Sequence, residues 1–203
     1  MKRIPLFVVL AVGVLAADMA MAKAKAADRS MTRSSSRETT KSDFRLNALG
    51  ASAAFVSPQD LDGTVGLGVS ADMGRITPEI GLEPMVEFWS NTKKEFGSKA
   101  SVRDIVVGAR GKYFFNSANP KIHPFAGAGL GIHFLHAKTE VTLPGFPTQS
   151  GESSDTKLGL DLGGGMATPL GPRDDLHIEG WYGIVSDVSQ LALRVGFSHK
   201  IGI

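Results

Sequence analysis

The sequence predicts an all-β protein: an eight-stranded antiparallel up-and-down transmembrane β-barrel, preceded by an N-terminal signal peptide and a disordered tail. Three observations carry this expectation. The chain opens on a basic and then apolar leader. From Phe44 onward, apolar and polar residues alternate with period two. The alternating segments are about 11 to 16 residues long in many cases, against the ~5–6 typical of strands in soluble domains.

The leader sets the compartment. Lys2 and Arg3 form a basic start, and Ile4 to Ala17 is an apolar run of roughly 14 residues, shorter than the ~20 a membrane-spanning helix needs. Ala20-Met21-Ala22 puts small residues where a signal peptidase reads, so cleavage is expected after Ala22; Asp18 argues against a retained anchor. No Cys follows that site, which argues against a lipoprotein. Residues 1–22 are therefore read as the signal peptide and residues 23–43, rich in Ser, Thr, Ala, Lys and Arg without apolar period, as a disordered periplasmic tail. Residues 44–203 are the barrel.

Composition narrows the classes further. The exported chain has no cysteine at all, so its stability rests on a core or a membrane and not on disulfides. A net charge of +2, with no long basic tract interleaved with aromatics, speaks against nucleic acid as a partner. After the leader no segment holds about 18 consecutive apolar residues, which excludes a helical membrane protein but not a barrel.

Turn signals divide the remainder into eight strands. They are expected at Leu46–Val56, Thr64–Met73, Thr77–Ser90, Ser101–Phe115, Ile122–Lys138, Thr156–Thr168, Asp174–Val185 and Ser189–Ile203. Pro58–Gly63, Gly74-Arg75, Asn91–Ser98, Asn116–Pro120, Thr139–Ser154, Pro169–Pro172 and Ser186-Asp187 connect them. With an even strand number both termini are periplasmic, and the two longer loops, Asn91–Ser98 and Thr139–Ser154, lie outside. The second of these carries Phe146 at its tip.

Each strand has an apolar and a polar face. In the fourth, Ile105, Val107, Ala109 and Tyr113 oppose Asp104, Gly108, Arg110 and Lys112. In the third, Ile80, Leu82, Val86 and Phe88 oppose Gly81, Glu83, Glu87 and Trp89. Leu158, Leu160 and Leu162 oppose Lys157, Gly159, Asp161 and Gly163 in the sixth; Ile178, Tyr182 and Ile184 oppose His177, Glu179 and Trp181 in the seventh; Leu193, Val195 and Phe197 oppose Arg194, Gly196 and Ser198 in the eighth. A soluble barrel turns the apolar face inward and a membrane barrel turns it outward, and period two alone does not choose. Glycine favours the membrane barrel. Gly66, Gly68, Gly81, Gly108, Gly127, Gly129, Gly131, Gly159, Gly163 and Gly196 all fall on the charged face, where a narrow interior needs small residues beside large ones. Aromatics near strand ends (Phe55, Phe88, Trp89, Tyr113, Phe115, Phe125, Phe134 and Tyr182) read as interfacial girdles.

Lys112-Tyr113-Phe114-Phe115, then His123-Pro124-Phe125-Ala126-Gly127-Ala128-Gly129-Leu130-Gly131, then Gly159-Leu160-Asp161-Leu162-Gly163-Gly164-Gly165 give the chain a family resemblance. It resembles the small outer-membrane barrels of the OmpA-type transmembrane domain over nearly the whole of residues 44–203. The resemblance implies residence in the outer membrane of a Gram-negative envelope. It also implies contact with outer-membrane lipid and lipopolysaccharide, and insertion by the outer-membrane assembly machinery. Such barrels usually end on an aromatic residue; this chain ends on Ile203, and Phe197 is its nearest aromatic.

An eight-stranded barrel is just wide enough for side chains to fill it. Glu83, Glu87, Asp161 and Glu179 are expected to share the lumen with Arg110, Lys112, Lys157 and Arg194 as an ion-pair network, since an unpaired charge in so confined a space is costly. The alternative use of those charges is an ion path or proton relay. Catalytic chemistry is not expected. His133 and His136 fall on opposite faces of one strand and cannot jointly hold a metal, and the adjacent Ser198 and His199 diverge for the same reason. No phosphate-binding glycine motif opens a helix, and no cofactor is expected. The expectation is a monomeric structural or surface-interaction barrel. A small channel or transporter for ions or hydrophobic molecules, and a soluble lipocalin-like barrel, are the alternatives.

Overall fold

The computed structural model describes residues 43–59, 61–95, 97–142, 147–186 and 188–201. The expected signal peptide and all but the last residue of the expected tail lie outside them, as do Phe146, Asp187 and the last two residues.

Eight strands follow one another: β1 Asp43–Pro58, β2 Thr64–Arg75, β3 Ile80–Glu95, β4 Ser98–Phe114, β5 His123–Val141, β6 Gln149–Pro169, β7 Asp174–Val185 and β8 Gln190–Lys200. Every neighbour in sequence is an antiparallel neighbour in space, and β1 pairs with β8 to close the ring. Closure leaves no free sheet edge within the barrel wall, the condition for extended chain to cross hydrocarbon.

The faces separate as a membrane barrel requires. Leu158 is 69% and Val65 68% exposed, whereas Arg110 is 2% and Asp161 5% exposed. Leu67, Val69, Val107, Leu130, Ile132, Leu160, Leu193 and Val195 complete an outer belt of aliphatic side chains. Water would not hold that much continuous apolar surface exposed; lipid tails would. A lipocalin-like barrel needs the opposite orientation.

Strand boundaries differ from expectation in three places. Gly74 and Arg75 are the last residues of β2, and the turn is formed by residues 76–79. Gly74 carries a left-handed φ of 78°, and its N–H donates to Asp72 Oδ1 at 2.7 Å, so the chain kinks before it turns. The segments Asn91–Ser98 and Thr139–Ser154, expected as loops, are mostly strand. β3 runs on to Glu95, β4 starts at Ser98, β5 continues to Val141 and β6 begins at Gln149, giving β6 a length of 21 residues. These extensions stand beyond the apolar belt at the end opposite the start of β1 and the end of β8. Both of their faces are polar, so the period-two signal vanishes although the backbone ladder continues. Side-chain partners hold them: across strands the Thr92 and Ser101 hydroxyls 3.0 Å apart and Lys138 with Glu152 at 3.2 Å, and along β5 Lys138 with Glu140 at 3.1 Å. Lys138 is held above the ordinary lysine value by its hydrogen bonds to Glu140 and Glu152, and Glu140 below the ordinary carboxylate value by its hydrogen bond to Lys138.

The aromatics also sort by face. Phe55, Phe88, Phe134 and Tyr182 point outward toward the long-hairpin end, and Tyr113 and Phe197 point outward toward the other. Trp89 and Phe125, expected in the girdles, turn into the lumen instead. Trp89 stands two residues from Glu87 on the same face, so its parity makes it an interior residue, and it packs on Val56 and Ala192.

Candidate functional site

The inward stripe of each strand converges on the barrel axis. Glycine makes the convergence possible. Lys112, Gly127, Gly163, Trp181 and Ala192 are directly paired across β4 to β8. A Cβ on Gly163 would stand 2.7 Å from the Trp181 ring, and one on Gly127 2.9 Å from it, so the indole lies in a notch that only glycine leaves. The next row is Glu83, Arg110, Gly129, Asp161, Gly183 and Gln190. There Gly129 leaves room for the Arg110 stem, 2.6 Å from where a Cβ would be.

Seven of the eight expected charges form one connected network at the waist. Arg110 donates to Asp161 Oδ2 from Nε and Nη2 (3.1 and 2.8 Å) and to Glu87 from Nη1 and Nη2 (2.6 and 3.3 Å). Arg194 also pairs with Glu87, and reaches Glu179 at 3.6 Å. Lys112 donates to Glu83 at 2.8 Å and to Glu179 at 2.7 Å. Trp181 Nε1 donates to the second Glu179 oxygen at 2.7 Å. Rings cap the cations, with the Arg110 guanidinium 4.4 Å from the Trp181 ring centre and the Lys112 ammonium 4.7 Å from that of Phe125. Three cations thus face four carboxylates across β3, β4, β6, β7 and β8, each charge with an opposite partner.

Lys157 is the exception. It lies on the inward stripe but toward the long-hairpin mouth, beside Asp155 at 3.4 Å and donating to the Ser186 carbonyl at 3.2 Å. Face parity fixes which side a residue takes, while its height along the strand decides whether it reaches the waist.

Two further polar layers have no counterpart in the expected site. Toward the long-hairpin mouth, His133 Nδ1 lies 2.8 Å from Asp104 Oδ2, both side chains fully buried. The imidazole fills the space left by Gly159, where a Cβ would come within 2.5 Å of Nε2. Toward the short-turn end, His177 Nε2 lies 2.8 Å from Ser198 Oγ. That end of the lumen opens into a cavity of about 310 Å³ lined by Asp72, Arg75, Asp175, His177, Ser198 and Lys200, among others. The opposed parities of His133 and His136 hold, His136 meeting Ser154 at 3.0 Å on the outer face. Ser198 and His199 likewise diverge, His199 reaching Asp174 at 2.7 Å. The sequence signal for the Asp104–His133 layer is weak: along the inward stripe each is a polar residue flanked by apolar or glycine positions (Val102 and Val106, Gly131 and Leu135), and their meeting depends on the register of β4 against β5.

No protein-family model and no curated protein matches the chain. Solved structures do. Neisserial surface protein A is 22% identical with a TM-score of 0.56, the match covering 76% of this chain and 97% of that one. A major outer membrane protein of Thermus thermophilus is 13% identical with a TM-score of 0.56, covering 77% and 98%. With its closed ring, apolar belt and charged interior, the chain has the fold of the small eight-stranded β-barrels of bacterial outer membranes.

Proposed function

We propose that the chain is an integral, non-enzymatic outer-membrane barrel whose lumen is plugged and whose work is done at its surface, in envelope integrity or in contacts made by the long hairpins. The observation that carries this reading is the waist network. Glu83, Glu87, Asp161 and Glu179 are each engaged by Arg110, Lys112 or Arg194, and Trp181 and Phe125 close over the cations. An ion crossing that layer would have to break charge-assisted hydrogen bonds that tie its carboxylates to its cations. The asymmetry of the ends supports the orientation. The short turns, the start of β1 and the end of β8 share one end, the periplasmic one in this class of barrel, and the extended hairpins share the other.

Two measurements test the reading. Cell fractionation is expected to recover the chain in the outer membrane, resistant to carbonate and with heat-modifiable migration on gels; recovery as a soluble product contradicts it. Planar-bilayer recording of the purified barrel is expected to give no steady conductance above the lipid background. Reproducible unitary conductance contradicts the plug and favours the channel alternative.

A further inference from the structure

Two polar side chains at the short-turn end of the lumen take no part in the plug. His177 of β7 and Ser198 of β8 meet diagonally across their ladder, where His177 is paired with Gly196 and Ser198 with Asp175. Ser198 Oγ lies 2.8 Å from His177 Nε2. The other ring nitrogen, Nδ1, is buried and has no hydrogen-bond partner among the described residues. It lies 4.0 Å from Glu179 Oε1, two residues further along the same inward stripe. That carboxylate is fixed, Oε1 by Lys112 at 2.7 Å and Oε2 by Trp181 Nε1 at 2.7 Å. A carboxylate facing Nδ1 favours the tautomer with the proton there, which leaves Nε2 to accept from the Ser198 hydroxyl. Serine, imidazole and carboxylate in that order are the parts of an activated nucleophile. Sequence adjacency points to His199 instead, which diverges from Ser198.

The hydroxyl also faces open space. Ser198, His177 and Glu179 all line the cavity of about 310 Å³, where Gly50, Ser52 and Gly196 contribute little bulk. Its volume is that of roughly ten waters at ~30 Å³ each, room for a short acyl group and not for a lipid chain. An oxyanion hole is what the site lacks. Ser198 is paired with Gly50 on one side and Asp175 on the other, and the Lys200 N–H donates to the Arg173 carbonyl at 2.8 Å. The ladders thus consume the backbone donors around the hydroxyl.

We propose that Ser198 is an acyl-acceptor site, modified once by a small activated ester or thioester that enters from the short-turn end. Ser198 Oγ attacks the carbonyl carbon and His177 Nε2 takes the hydroxyl proton. The bond to the leaving alcohol or thiol breaks, that group departs with the proton, and an ester on Ser198 remains; nothing is oxidised or reduced. Without an oxyanion hole only activated donors react and the ester persists, so the chain carries one acyl group and does not turn over. The inference goes beyond the surface role proposed above.

The folded barrel in phosphatidylcholine nanodiscs, treated with 4-nitrophenyl acetate and mapped by peptide mass spectrometry, tests it. Ser198 is expected to be acetylated at least about tenfold faster than Ser52 or Ser70, which line the same cavity but are paired with no histidine. His177→Gln is expected to slow Ser198 acetylation about a hundredfold, and added imidazole to restore part of the rate. Glu179 is a positioning residue. Glu179→Gln is expected to slow the reaction at least about tenfold and to move the His177 proton from Nδ1 to Nε2, read from the nitrogen-15 shifts of the ring. Should a variant lose heat-modifiable migration, the comparison of the three serines in the unaltered chain decides alone. Equal labelling of those serines, an unchanged rate in a folded His177→Gln variant, or release of 4-nitrophenolate from Ser198 beyond one equivalent overturns the proposal, the last because it identifies turnover.

Discussion

Arg110 holds Glu87 and Asp161 at once, so its removal leaves the buried Asp161 without its cation and Glu87 with Arg194 alone. Arg110→Met is expected to destabilise the barrel by about 3–5 kcal/mol, the cost of breaking a buried ion pair from one side. Equilibrium urea unfolding in lipid vesicles measures it, and a loss below about 1 kcal/mol would mean that the network adds little. Gly163 tests the packing independently of charge. A Cβ there would stand 2.3 Å from the Gly180 carbonyl and 2.7 Å from the Trp181 ring, so Gly163→Ala is expected to cost about 1–3 kcal/mol and to perturb tryptophan fluorescence. Gly111, with its nearest neighbour 3.8 Å from the Cβ position, faces outward, and Gly111→Ala is expected to change neither signal. At this scale the sequence was informative about side and uninformative about height. Parity put Glu87, Arg110, Asp161 and Arg194 on one face, and the glycines sharing that face turned it inward. It did not say that Lys157 would stop at the mouth, nor that Asp104 would meet His133, because both depend on strand stagger, which a side-chain pattern does not encode.

The strands divide into a part that lipid specifies and a part that water permits. In the belt, outward residues face hydrocarbon, and Leu160→Arg is expected to cost about 2–4 kcal/mol if it lies near the bilayer midplane, against about 0–1 kcal/mol for the same charge near the interface. Unfolding midpoints of Leu160→Arg and Phe134→Arg compare the two depths. Above the belt, the extensions of β3 to β6 bury little. Hydrogen exchange is expected to be faster in Thr139–Val141 and Gln149–Ser153 than in Gly127–Ile132 and Gly159–Met166. Acidification is expected to widen the gap: the carboxylate of Glu140 is held low by Lys138, so that contribution is present at neutral pH and is lost as pH falls through its lowered value. This division explains what the sequence left unread. Leu158, Leu160 and Leu162 announce a strand because one face must be greasy. Ser150, Glu152, Ser153 and Ser154 are strand with both faces wet, and a reading based on polarity sees only a loop there.

For the whole molecule, stability, closure and exposure follow from one inversion of the usual soluble pattern. The apolar surface that would form a core in water is turned outward, and the interior is held by ion pairs and aromatic rings seated on glycine. The most direct test uses the absence of native cysteine. Single cysteines at positions 104 to 109 of β4, each carrying a fluorophore in reconstituted vesicles, are read for quenching by brominated lipid tails. The account predicts alternation, with strong quenching at positions 105, 107 and 109 and little at 104, 106 and 108. The reverse alternation, or uniform quenching by aqueous iodide along the stretch, would contradict it.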